Sequence, residues 1–190
     1  MKSIARIAAT LAILITTTIH AETATEDDLA EAKAIVQEFA TTLQGELQAA
    51  IKEGGPTNAI AVCQDRAPAI AADLSERSGW QVGRTSLKTR NVAENSPDAW
   101  EAEVLARFDA RRAAGEDVQP MAYAEIVGTD GGRMFRFMKA IPTAEVCLAC
   151  HGSAITDEVA AALDERYPDD MARGYSLGDV RGAFSLSKPL

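Results

Sequence analysis

Apolar side chains recur every three or four residues between Asp27 and about Lys52, where Leu29, Ala32, Val36, Phe39, Leu43, Leu47 and Ile51 form one stripe. That period predicts an amphipathic helix, and Gly54-Gly55-Pro56 predicts its end. A second stripe of Ile60, Cys63, Ala67, Ile70 and Leu74 predicts a helix capped by Thr57 or Asn58 and running to about Arg77. Pro68 is expected to kink or divide it and Gly79 to close it. A short strand follows at Trp80–Ser86. Ser96-Pro97 then reads as the cap and first turn of a third helix, with Glu101 in its early turns and Trp100, Val104, Leu105 and Phe108 along it to about Ala114. Beyond it the period changes to two. Ala122–Gly128 and Arg133–Ile141 flank Thr129-Asp130-Gly131-Gly132, an Asp-Gly signal for a hairpin. A helix over Thr156–Arg166 and a strand over Asp179–Ser187 complete the chain. Helices lead and strands gather in the second half, so the expected class is α+β with an antiparallel sheet.

The first twenty-one residues stand outside this pattern. Lys2 and Arg6 precede an apolar stretch from Ile7 to Ile19, and Ala21 offers a small residue before Glu22. This is the layout of an export signal. The apolar stretch is about thirteen residues, short of the roughly 17–25 a membrane span needs, although an uncleaved anchor is the alternative. Residues 22–190 are then expected to form a single exported, soluble, periplasmic domain with no stable membrane insertion once the signal is cleaved. The net charge is −9, and loss of Lys2 and Arg6 makes it more negative by two. That balance argues against nucleic acid or an anionic membrane as partner, since both require clustered positive charge.

Cysteines change the picture most. Three is an odd number for an exported protein, where thiols usually pair. Two of them fall in Cys147-Leu148-Ala149-Cys150-His151, the C-x-x-C-H pattern of c-type haem attachment. On a helical turn, residues three and four apart share a face, so both thiols can reach the vinyl groups of one haem while the imidazole faces the iron. The expected cofactor is therefore one covalently attached haem c. A thioredoxin-type redox pair would sit in a βαβ unit, which the pattern lacks. A zinc site from Cys63, Cys147, Cys150 and His151 has the right ligand count, but adjacent Cys150 and His151 on one ion are sterically awkward.

The sequence has two histidines, His20 in the leader and His151 in the motif. Without His20, a bis-histidine haem within one chain is excluded. The sixth position is left to Cys63, Met134, Met138, Met121, Met171, water or nothing. Cys63 lies in line with Ile60 and Ala67 and should point inward, which also suits a small buried hydrophobe. Met134 and Met138 share one face of the second hairpin strand, with Arg136 between them. Arg84, Arg90 and Arg136 are candidates for the haem propionates, because a guanidinium fork matches a carboxylate. Trp80, Tyr123 and Phe137 are candidate haem walls or plain core.

Several segments together resemble a family of exported c-type haem domains with a PAS-like fold, found alone and as sensing domains of bacterial signalling proteins. The carriers are Ala61-Val62-Cys63 with Ala67-Pro68-Ile70-Ala71, Arg84 with Arg90-Asn91, Asn95 to Glu101, Phe135 to Lys139, Cys147 to Gly152, and Gly178 to Ala183. The resemblance spans nearly all of residues 22–190. It implies a PAS-like antiparallel sheet with N-terminal helices packed on it. One cyanobacterial, photosystem-associated member carries His and Cys axial ligands, which implies Cys63 as the partner of His151 here.

The resulting expectation is a low-potential electron carrier or a haem-based redox or gas sensor, more a binding protein than an enzyme, working with a redox or signalling partner. The alternative is a haem enzyme, peroxidase-like or gas-processing, with an open sixth iron position. It would need an Arg, Glu or Asp as distal acid–base group, because no histidine is spare. A four-helix cytochrome is disfavoured by the Asp-Gly hairpin and by the elements that follow the motif. The long first helix could support a homodimer.

Overall fold

The computed structural model describes residues 25–190; the expected export signal over 1–21 lies outside them. Helix α1 spans Glu26–Ala61 and opens with a reciprocal capping box, Thr25 accepting from the Asp28 backbone and Asp28 from that of Thr25. Ala32, Val36 and Phe39 are buried along its inner stripe, as the periodicity predicts, and Ile35 is buried beside them. Gly54-Gly55-Pro56 breaks the helix without ending it. Gly54 and Gly55 leave helical geometry, Gly55 at φ +74°, and helical turns resume at once. The Asn58 side-chain amide donates to Ala50 O across the break at 3.1 Å. Asn58 thus staples the kink and is not a cap.

The chain then passes through one π-helical turn, Val62–Arg66, into α2, Ala67–Ser78. Pro68 stands in the first turn of α2, directly after the π-helical turn, so it marks the boundary of the two segments. Gly79 closes α2 in the left-handed conformation at φ +76°. Strand β1, Gln81–Thr85, and the short α3, Val92–Asn95, lead to α4, Ala99–Ala113. The cap of α4 is Asp98, not Ser96: a capping box needs its acidic partner three residues on, and Glu101 fills that place only from Asp98.

Strands β2, Ala122–Thr129, and β3, Gly132–Pro142, form the expected hairpin. A 3₁₀ turn at Glu145–Cys147, the one-turn α5 at Leu148–His151, α6 at Asp157–Arg166 and β4 at Val180–Pro189 follow. The sheet is antiparallel with the order β1-β4-β3-β2. Its register sets Arg84 opposite Phe184 and Phe137 opposite Leu186, so Phe135, Phe137, Phe184 and Leu186 share one face. Against that face pack Ile35, Val36 and Phe39 of α1 with Ile70 and Leu74 of α2. The opposite face carries Met138, Ala140 and Ala183, covered by Val104, Leu105 and Phe108 of α4. The class is α+β, with the N-terminal helices on one face and α4 on the other. Among the described residues no helix is long and apolar enough to cross a membrane.

Candidate functional site

Cys147, Cys150 and His151 lie on the 3₁₀ turn and α5, directly after β3. The turn is short because Gly152 closes it: its N–H donates to Leu148 O at 3.0 Å, and a Cβ there would come within 2.6 Å of that same oxygen. The segment 170–175 then lies along it. Tyr175 N–H donates to His151 O at 2.9 Å, and Gly174 N–H to Gly152 O at 3.1 Å.

His151 Nδ1 is 2.7 Å from Ala172 O. A carbonyl oxygen only accepts, so Nδ1 carries the proton and Nε2 keeps a lone pair. Burial, followed by the cationic Arg181 and Arg90 nearby, pushes the His151 pKa well below its usual range. The side chain is therefore a neutral imidazole protonated at Nδ1, the tautomer whose Nε2 binds a metal once no other donor occupies it.

Beside it lies a cavity of about 420 Å³, within the roughly 300–1,000 Å³ usual for small-molecule and cofactor pockets. Cys147, Cys150 and His151 line one part of it and Cys63 another, among apolar walls from Leu43, Leu47, Ile60, Ile141 and Phe184. Cys63 stands in the π-helical turn, whose extra residue per turn re-aims the side chains after Ala61. All three cysteines are free thiols. Burial raises the pKa of the Cys150 thiol, and burial with the nearby Cys63 pushes Tyr167, also on the wall, up to about 12. No cluster of three or more His, Cys, Asp or Glu among the described residues is arranged to hold a bare metal ion. The four residues thus share a cavity without converging as the tetrahedral set that zinc requires.

The three candidate arginines separate. Arg84 reaches the cavity from β1, with its guanidinium 5.7 Å from the Phe39 ring centroid. It forms no salt bridge with any described carboxylate, and burial draws its pKa below the usual arginine value. Arg90 also borders the cavity; its Nε donates to Asp170 Oδ1 at 3.1 Å, and its Nη2 to Cys150 O at 2.5 Å and Ala172 O at 3.1 Å. These bonds tie the motif to segment 170–172. Arg136 is not at the cavity. Its even-numbered place on β3 turns it to the α4 face, where it pairs with Asp98 at 2.8 Å and Glu101 at 3.5 Å and stacks 4.2 Å over Trp100.

Sequence reasoning missed Arg181 as a site residue, although it stands in one of the segments that carry the family resemblance. It lines the cavity, with Nε 3.1 Å from His151 Nδ1 and 3.3 Å from Nε2, and Nη1 donating to Ser86 Oγ at 3.1 Å. With Nδ1 protonated, only the Nε2 contact serves as a hydrogen bond. Asp170 and the Ala172 carbonyl were missed as well, and a backbone oxygen leaves no mark in a sequence. The methionines do not reach the cavity: Met121 and Met138 are wholly buried beneath α4, Met171 is 54% exposed, and Met134 pairs with Pro189 at the strand end. Trp80 and Phe137 belong to the α1–α2 core and Tyr123 packs near α4, so none of these aromatics is a wall of the cavity.

No curated protein matches the chain. Among solved structures, that of the cyanobacterial haem-protein Tll0287 is similar over 87% of this chain and 97% of its own, at 24% identity and a TM-score of 0.66. That likeness shows a shared fold. Residues 14–189 match the family described as Tll0287-like, and the chain belongs to that family.

Proposed function

We propose that this chain is an exported c-type haem protein that holds one haem through thioether bonds at Cys147 and Cys150, with His151 and Cys63 as axial ligands, and that it works as a low-potential electron carrier or redox sensor. The observation that carries the reading is the Nδ1–H···O=C bond from His151 to Ala172, which leaves an Nε2 lone pair in the cavity that Cys63, Cys147 and Cys150 also line. The solved relative is itself a haem-protein by description. The leader with Lys2, Arg6 and the apolar Ile7–Ile19 supports export.

The cavity suits the group in two further respects. Its walls are largely apolar, as a macrocycle requires. Arg84 and Arg181 line it without a carboxylate partner among the described residues, and burying an unpaired cation is costly. Two propionates would relieve both. Haem supplies a one-electron iron couple. The chain's own residues would hold the group with a neutral imidazole at His151 and a thiol brought to the same cavity by the π-helical turn, with Leu43, Leu47 and Ile60 among the apolar walls that limit water. A thiolate is an anionic donor that stabilises the ferric state, so a low reduction potential follows. With no second histidine among the described residues, the cavity lacks a distal imidazole, the commonest acid–base group, which favours carrier or sensor over enzyme.

Replacing Cys63 by alanine tests the ligand set. The expected result is haem still attached, the low-spin ferric spectrum converted to high-spin, and a raised reduction potential. An unchanged ferric spectrum and potential in Cys63→Ala would overturn the Cys63 assignment.

A further inference from the structure

Two hydrogen bonds converge on a single backbone oxygen. Ala172 O accepts from His151 Nδ1 at 2.7 Å and from Arg90 Nη2 at 3.1 Å. The same Nη2 donates to Cys150 O at 2.5 Å, so one guanidinium touches both the attachment turn and the acceptor of its histidine. Asp170 fixes Arg90 from behind. Its Oδ1 accepts from Arg90 Nε at 3.1 Å and from Ala172 N–H at 2.9 Å, while its Oδ2 accepts from Arg173 Nε at 2.8 Å. The side chains of Arg90 and Asp170 are only 7% and 2% exposed.

A buried ion pair costs desolvation that its own attraction often fails to repay, and an apolar pair of the same volume commonly stabilises as well. Joining the two segments does not require it either, because Gly174 N–H and Tyr175 N–H already bond to Gly152 O and His151 O. Besides its bond to Cys150 O, the pair acts on the Ala172 carbonyl: it fixes the direction of that oxygen and draws on its electron density.

We infer that Arg90 and Asp170 are positioning residues for His151, setting the ring orientation and donor strength of the imidazole through the Ala172 carbonyl. The inference rests on the reading of His151 as an axial ligand. A strong acceptor at Nδ1 gives an imidazole more imidazolate character and makes Nε2 a better donor. Arg90 shares the acceptor and weakens that effect, so it raises the reduction potential, both through the carbonyl and through its charge. Asp170 offsets that charge, and with Arg90 still held by Cys150 O and Ala172 O its effect on the potential has the opposite sign.

Arg90→Lys, Arg90→Gln and Asp170→Asn, each carrying attached haem, are compared with the wild type by reduction potential and by ferric electron paramagnetic resonance. Arg90→Gln is expected to raise the ferric-to-ferrous ratio at fixed poise by roughly three- to tenfold, the scale of one ordinary intramolecular hydrogen bond. Asp170→Asn is expected to lower it. Arg90→Lys keeps the charge but loses the fork, so its g-values are expected to move as the ring loses its fixed direction, with circular dichroism unchanged. If Arg90→Gln does not accumulate folded, Arg90→Lys and Asp170→Asn decide the matter. Unchanged g-values and potentials in haem-loaded variants, or shifts of the same sign in Arg90→Gln and Asp170→Asn, overturn the inference. A wild-type protein without covalent haem overturns the underlying reading, and the inference with it.

Discussion

At the scale of single residues, chemistry separates positions that look alike in sequence. Arg84, Arg90 and Arg136 are equivalent as letters, yet only Arg84 meets the cavity without a carboxylate partner, while Arg90 is tied to Asp170 and Arg136 to Asp98. Side chains with a covalent signature were legible: the Cys147, Cys150 and His151 spacing marked the site, and Cys63 marked itself as an inward cysteine. What supports them was not legible, because the Ala172 carbonyl belongs to the backbone and Arg181 reaches His151 only once β4 has paired with its neighbours. The division of the arginines predicts separable phenotypes. Arg136→Ala should lower stability by about 1 kcal/mol or less, the scale of a partly exposed ion pair, and leave the haem spectrum unaltered. Arg84→Gln should leave the fold intact and shift the pH dependence of the reduction potential, as a propionate loses its cation. Thermal denaturation and spectroelectrochemical titration check the two; a haem spectrum altered by Arg136→Ala would contradict the assignment.

At the scale of elements, periodicity located the helices and the hairpin, and the errors fall where local signals competed. Gly54-Gly55-Pro56 is a sound stop signal, but the Asn58–Ala50 bond and the burial of Ala59 and Ile60 carry the helix past it. Ser96-Pro97 resembles a helix start, but the reciprocal bonds of Asp98 and Glu101 move the start two residues on. A π-helical turn has no periodic signature, so the inward aim of Cys63 was legible but not the turn that carries it. The start of α1 carries a pH prediction. The hydrogen bond from Lys188, reinforced by the Thr25 backbone N–H, holds the Asp28 carboxyl at about 2, below its ordinary 3.8. A carboxylate with a depressed folded pKa contributes stability that is present above the unfolded value and lost as pH falls through the folded one. The tie between α1 and β4 should therefore be whole above about pH 4 and gone by about pH 2. Asp28→Asn should flatten the acid dependence of stability in that window, read by circular dichroism at stepped pH. An unchanged acid profile would show that this contact contributes nothing.

At the scale of the whole molecule, fold class was legible but strand order was not. The last strand, β4, lies between β1 and β3, with Gln81 opposite Ser187 and Phe137 opposite Leu186. Pairings so distant in sequence leave no local trace, and the alternation of a strand reports which face is buried without naming the neighbour. That order has a functional consequence. It brings Arg84 of β1, Phe184 of β4 and Ile141 of β3 to one end of the sheet, where the end of α1 delivers Cys63 and the exit from β3 delivers Cys147. The cavity therefore exists only in the assembled fold, with thiols supplied by both halves of the chain. The measurement that bears most directly on this account is a pyridine haemochrome spectrum of the denatured protein, matured with haem-attachment machinery, for wild type and for Cys147→Ser with Cys150→Ser. The account predicts one haem per chain that remains bound after denaturation and extraction in the wild type and is lost in the double variant. A wild-type chain that releases its haem on denaturation, or takes up none where a control cytochrome matures, would contradict it.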